Sequence, residues 1–309
     1  MIDVGLVVAR LLHYAAVTTL AGVSFFPLYA YAAAEPAGLF RWRQVVLLAA
    51  AAAALISGLL WFVFSVANMS GTMAGIADQE MLWTVVNETT FGSVWMARMV
   101  LVVLILGVTA VRPRRKGIAG PGLVTAFLAS ILLASLAGTG HAQVEEGWMS
   151  LAHVGSDAAH LLAAGAWLGG LVPLGFILLD YSMRGGEPIV DVDRILLRFS
   201  SMGYVAVATL VASGLINSWF LVGSVSSLLT TLYGQILLAK VAAFAAMLAL
   251  AAANRFWLVP RMMETRAGSG QAAVWLARLR YHVLGEQFLG VMVLLAVSVL
   301  GTIRPAIGQ

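Results

Sequence analysis

Eight stretches of this chain are long and apolar enough to cross a bilayer, and no other property constrains its fold so tightly. They run at residues 4–34, 44–67, 93–111, 121–140, 151–179, 199–222, 234–258 and 283–303. A backbone immersed in hydrocarbon must satisfy its own N–H and C=O groups, so segments of this length read as membrane-spanning helices. With 61% hydrophobic and only 10% charged residues, the chain also lacks the polar surface that 309 residues would need in water. The expected fold is therefore all-α: a polytopic membrane protein with eight transmembrane helices. Its opening, MIDVGLVVARLLHYAA, lacks the basic n-region and short apolar core of a cleaved signal, and reads as a retained first helix.

The few charges settle an orientation. Fourteen of the eighteen Lys and Arg residues fall in the connections 35–43, 112–120, 180–198 and 255–282, while 68–92, 141–150 and 223–233 contain none. Basic connections stay on the cytoplasmic side, so both termini are expected in the periplasm, as an even number of spans requires. The net charge of +4 is accounted for by those short connections, and no nucleic-acid partner is expected. The partner expected instead is the lipid bilayer. The connection 68–92 sets Asp78, Glu80 and Glu88 among Met81, Leu82, Trp83 and Val85, a pattern for a short helix lying at the interface.

Two halves are legible. His13 and Gly22 are followed 147 residues later by His160 and Gly169, with Pro27 and Pro173 at nearly the same offset. Ser57-Gly58-Leu59 corresponds to Ser213-Gly214-Leu215. Phe91-Gly92 and Ala97-Arg98 correspond to Tyr233-Gly234 and Ala239-Lys240 at an offset of 142. The shared order predicts two parallel four-helix repeats, residues 1–144 and 145–309, with a site at their interface where His13 and His160 approach. The fourth helices of the two halves match poorly.

Chemistry concentrates at one membrane face. His13, His141, His153 and His160 all lie near the outer ends of their helices. In 153–171, His153, Asp157, His160 and Trp167 fall on one helical stripe, with Gly165 and Gly169 on an adjacent face for close helix approach. Zero cysteines exclude disulfides and thiolate ligands, so a metal would rest on imidazole, thioether or oxygen. Met69 and Met73 (one helical turn apart) and Met149 are thioether candidates at the same face, or simply apolar lining. Asp157 is either a carboxylate orienting an imidazole or a helix N-terminal acid. Arg98 and Lys240 read as balancing Asp157 or as snorkelling to headgroups, and Glu286 as lining an inner exit or pairing with a loop arginine. No nucleotide-binding or hydrolase motif is present, so the chain is not expected to be an enzyme.

These residues resemble a known family. Asp157-Ala-Ala-His160-Leu-Leu-Ala-Ala-Gly-Ala-Trp167-Leu-Gly169-Gly170-Leu171 is similar to the signature helix of the CopD family of bacterial inner-membrane copper-resistance and copper-transport proteins. Gly140-His141-Ala142, Ser213-Gly214-Leu215-Ile216-Asn217, Tyr233-Gly234 through Lys240, Asn254-Arg255 and Glu286 carry the likeness along the chain. The resemblance implies copper transport across the inner membrane, usually inward, and a separate periplasmic copper-binding partner of the CopC type. It supports His160 and His141 as site residues; His13, His153, Met69, Met73 and Met149 rest on the residues themselves. Haem b held between two imidazoles is the alternative cofactor, in a membrane redox protein.

Overall fold

The computed structural model describes residues 1–31, 35–111, 121–139, 148–183, 191–265 and 271–308. Among them every regular element is helical. In chain order these are α1 (Ile2–Ala30), α2 (Ala37–Ser70), α3 (Gln79–Glu88), α4 (Thr90–Ala110), α5 (Pro121–Ala134) and α6 (Trp148–Ala164). The remainder are α7 (Leu171–Met183), α8 (Val192–Val222), α9 (Val225–Thr230), α10 (Leu232–Ala253), α11 (Val259–Glu264) and α12 (Gln271–Leu300). A π-helical turn, Gly165–Gly169, joins α6 to α7, and a second, Asn254–Leu258, joins α10 to α11. Seven of the resulting rods are long and apolar enough to span a bilayer. The 121–140 segment gives a shorter apolar helix, α5, prolonged by a 3-10 turn at Ser135–Thr139.

Helix starts follow local chemistry. Thr89 caps α4 by accepting from the Gly92 N–H, and Thr231 caps α10 by accepting from Gly234. Both glycines are needed for the same reason: a Cβ on Gly92 would strike the carbonyls of Val85 and Val86, and one on Gly234 the backbone of Leu228. The short helices α3 and α9 thus fold back onto the first turns of α4 and α10. Asp78 caps α3, which lies where an interfacial helix was expected and leaves Trp83 exposed. α2 ends at Gly71, whose φ of 74° suits only a residue without Cβ.

α1 is the axis of packing. It meets α2 and α5 on one side and the first π-turn, α7, α8 and α12 on the other. Val17, Leu20 and Ala21 are fully enclosed. One apolar core joins α1, α2, α4 and α5 through Leu20, Leu47, Val102 and Leu132. A second joins α7, α8, α11 and α12 through Leu174, Leu196, Val259 and Leu279. The tightest crossing is between α1 and the first π-turn. A Cβ on Gly22 would overlap the backbone of Gly169, and one on Gly169 the carbonyl of Thr18. The close approach expected from Gly165 and Gly169 is made against α1 by both, Gly169 on Gly22 and Thr18 and the Gly165 carbonyl on Gly22, while the Cβ position of Gly165 faces Leu133 of α5.

At the ends bearing the basic connections, Arg43 donates to both carboxylate oxygens of Glu35 at 2.9–3.0 Å, and both side chains are over 90% buried. Removing one partner strands the other charge. Arg43→Ala should cost about 3 kcal/mol, and Glu35→Gln with Arg43→Met together should cost less; denaturant titration in detergent reads the difference.

Candidate functional site

Between α1, α6, α8, α10 and α12, at the helix ends remote from the basic connections, lies a cavity of about 210 Å³. Arg10 and Tyr14 border it from α1. His153, Asp157 and His160 border it from α6, on successive turns of one helix face. Asn217 enters from α8, and Tyr233 and Lys240 from α10. Asn217 Nδ2 donates to Asp157 Oδ1 at 3.1 Å. Arg10 donates to the Gly301 carbonyl at the end of α12 and to the Tyr14 hydroxyl, both at 2.9 Å. His153 is 4% exposed and stacks on Phe220, with ring centroids 4.6 Å apart.

Two imidazoles are held alike. Ser213 Oγ donates to the Thr209 carbonyl at 2.5 Å, so its only hydrogen is spent and it receives the His160 Nδ1–H at 2.9 Å. Ser57 Oγ likewise donates to the Ala53 carbonyl at 2.6 Å. His13 Nδ1 lies 3.2 Å from that oxygen and 3.1 Å from the Ala54 carbonyl, which can only accept. Each ring is thereby fixed with hydrogen on Nδ1 and the lone pair on Nε2. Glycine follows each serine beside the ring: a Cβ on Gly58 would strike Met99 and crowd His13 Cε1 at 3.3 Å, whereas one on Gly214 would make ordinary contact with His160 Cε1 at 3.7 Å. His13 is fully buried, its Nε2 has no partner, and Trp61 and Met99 enclose it. The rings are anchored on different helices, His13 on α2 and His160 on α8, and of the two only His160 borders this cavity.

The other candidates divide. Met69, Met73 and Met149 are about half exposed and do not line the cavity. His141 lies outside the described residues. Glu286 is buried beside a different cavity, accepting from Asn254 Nδ2 at 2.7 Å. Arg98 does not snorkel to the surface: it is 1% exposed and donates to Ser135 Oγ and to the Ser135 carbonyl, at 3.0 and 2.6 Å. The 3-10 turn that ends α5 supplies that carbonyl, so a short helix end accommodates the buried guanidinium. Among the described residues no group of three or more His, Asp and Glu converges as a metal set. Asn217, Arg10 and Tyr14 were not expected at the site. Asn217 follows Ser213 by one turn on α8, and that spacing is the signal that could have found it.

An imidazole whose Nδ1–H is anchored offers its Nε2 as a ligand atom, the way metal-binding histidines are oriented. A family profile described as Copper resistance protein D-like, N-terminal domain, matches residues 1–151, and one described as Copper resistance protein D matches 193–300. A relative named Copper resistance protein D, from Pseudomonas syringae pv. tomato, is 33% identical over 309 residues, covering 97% of this chain and 96% of its own. The chain belongs to the copper resistance protein D family. Within this family, Inner membrane protein YebZ of Escherichia coli (strain K12) is 32% identical over 80% of this chain and 82% of its own. Copper transport protein CutJ of Bacillus subtilis (strain 168) is 30% identical over 86% of this chain, which spans 49% of CutJ. No solved structure matches.

Proposed function

We propose that this chain moves copper across the bacterial inner membrane, inward from the periplasm. The observation that carries the reading is the matched presentation of His13 and His160, each with Nδ1 tied to a serine of the next long helix and Nε2 left to bind. Exposed Met69, Met73 and Met149 collect the ion, because thioethers favour Cu(I). His153 and His160 take it into the outer cavity, where Asp157 supplies negative charge and Asn217 holds the carboxylate. His13 is a second holding point, His141 belongs to the same outer group, and Glu286 borders the inward route.

In this reading the chain has eight spans in two parallel four-helix repeats, residues 1–144 and 145–309, with both termini periplasmic. A CopC-type periplasmic protein delivers the copper. The role is carriage, not catalysis. Haem b would need two imidazoles turned on one iron, and His13 is closed in by Gly58, Met99 and Trp61.

Copper K-edge absorption of the copper-loaded protein tests the site, alongside uptake of radioactive copper by cells. Imidazole scattering should fall in His160→Ala and in His13→Ala, and uptake with it. Unchanged spectra and unchanged uptake in both variants would sink the proposal, and a Soret band in the purified protein would install the haem reading.

A further inference from the structure

A second cavity, about 290 Å³, opens between α8, α10 and α12, on the far side of the first π-turn from the outer cavity. Its walls are mostly hydrocarbon and aromatic, with Leu171, Phe199, Tyr204 and Val283 among them, and Ser200 and Arg255 also border it. Its floor is a buried polar trio. Glu286, 2% exposed, accepts from the Asn254 amide at 2.7 Å and from the Trp167 side chain. Asn254 is itself over 90% buried, and its Oδ1 has no partner.

Two features show that the trio is built. Trp167 and Asn254 sit on the two π-turns of the chain, and a π-turn re-aims side chains at the expense of regular helix bonding. The first turn is also secured from outside: Tyr29 donates to the Ala166 carbonyl at 3.1 Å, and Gln287 to the Leu171 carbonyl at 2.8 Å. Moreover, Glu286 lies within a membrane helix, and both of its hydrogen-bond partners are neutral. Such a carboxyl is costly to keep without a function.

The floor specifies the ligand. The unmet atom is an acceptor beside a carboxyl, so the ligand must bring a hydrogen-bond donor. The walls require an apolar body, and the volume suits one substituted ring. α8 and α10 flank the cavity without packing closely on each other, and Tyr204 and Phe256 at its border are exposed on the lipid-facing side. A ligand therefore arrives through the bilayer. A plain acyl chain has no donor for Asn254 within the apolar pocket. We propose that this cavity binds the ring of a membrane quinol, its hydroxyl donating to Asn254 Oδ1 beside Glu286 and its tail leaving between α8 and α10. The proposal shares Glu286 with the copper route but rests on the Asn254 acceptor and the apolar walls, and its binding test requires no copper.

Decylubiquinol, titrated into the purified full chain in quinone-free phospholipid nanodiscs, is the probe, with indole quenching and extracted quinol as readouts. Saturable binding is expected, weakened about tenfold or more in Asn254→Leu and in Glu286→Leu, as loss of a buried hydrogen bond to a charged or polar partner implies. Ala208→Trp, at the wall of the cavity, leaves the trio intact and should also abolish binding, with thermal unfolding unchanged. The proposal is overturned by absence of saturable binding, by equal binding in all three variants, or by oleate competing as well as the quinol does.

Discussion

Gly169→Val should leave almost no folded protein in the membrane. Gly169 and Gly22 meet backbone to backbone, and a Cβ at either position overlaps main-chain atoms of the other helix. A flexible side chain could swing aside, but two helix backbones separate only as rods. Ordinary overpacking costs about 1–3 kcal/mol. Here the two apolar cores are both bordered by α1, so parting the rods also opens packing on each side. Against a total stability of about 5–15 kcal/mol that loss is severe. Thermal unfolding in detergent should fall by about 10 °C or more for any protein recovered. Gly107→Ala on α4, where nothing lies within 4 Å of the added methyl, is the control and should change little. An unaltered transition for Gly169→Val would mean that the crossing is looser than its geometry.

The second large effect is graded. His160→Ala should abolish copper binding at the outer cavity, whereas Ser213→Ala keeps the imidazole and deletes only its anchor. Loss of an outer hydrogen-bond partner typically lowers metal affinity about 10–100-fold, so Ser213→Ala should fall between wild type and His160→Ala in a competition titration with a Cu(I) chelator. Ser57→Ala should do the same for the His13 site. Ser213→Ala matching wild type while His160→Ala loses all binding would remove the anchor from the account. Full binding in His160→Ala would remove the ligand.

Much of this architecture was legible because hydrocarbon imposes it. Every apolar segment is helical where it is described, but hydropathy marks depth and not helix length. α8 begins at Val192, where Asp191 caps it, seven residues before the apolar run, and α12 begins twelve residues early at Gln271. The motif Ser-Gly in α2 and α8 was visible as a likeness between the halves, yet the task of its serine is visible only in three dimensions: it accepts from a ring on another helix and turns it. The repeat predicts an approach of His13 and His160, whereas each ring is tied to a different helix, His13 to α2 and His160 to α8; periodicity places a residue on a stripe without saying which neighbour the stripe meets. The π-turns were hidden for a different reason. A single widened turn leaves no repeat in the sequence, and a stripe position alone could not show that Trp167 donates to Glu286 beside Asn254. Arg98 looked like a snorkelling residue because the carbonyl that receives it exists only where α5 tightens into a 3-10 turn.

Trp167 and Leu168 are neighbours in the chain, yet Trp167 borders the cavity floored by Glu286 and Leu168 the cavity that holds His160. The first π-turn is thus a partition, two side chains thick. Leu168 presses on Gly290 of α12, which leaves that side chain no slack. If copper follows the proposed route, an ion passing directly from one cavity to the other must displace the indole or the leucine, so that bulkhead shuts the shortest path between them in the conformation seen.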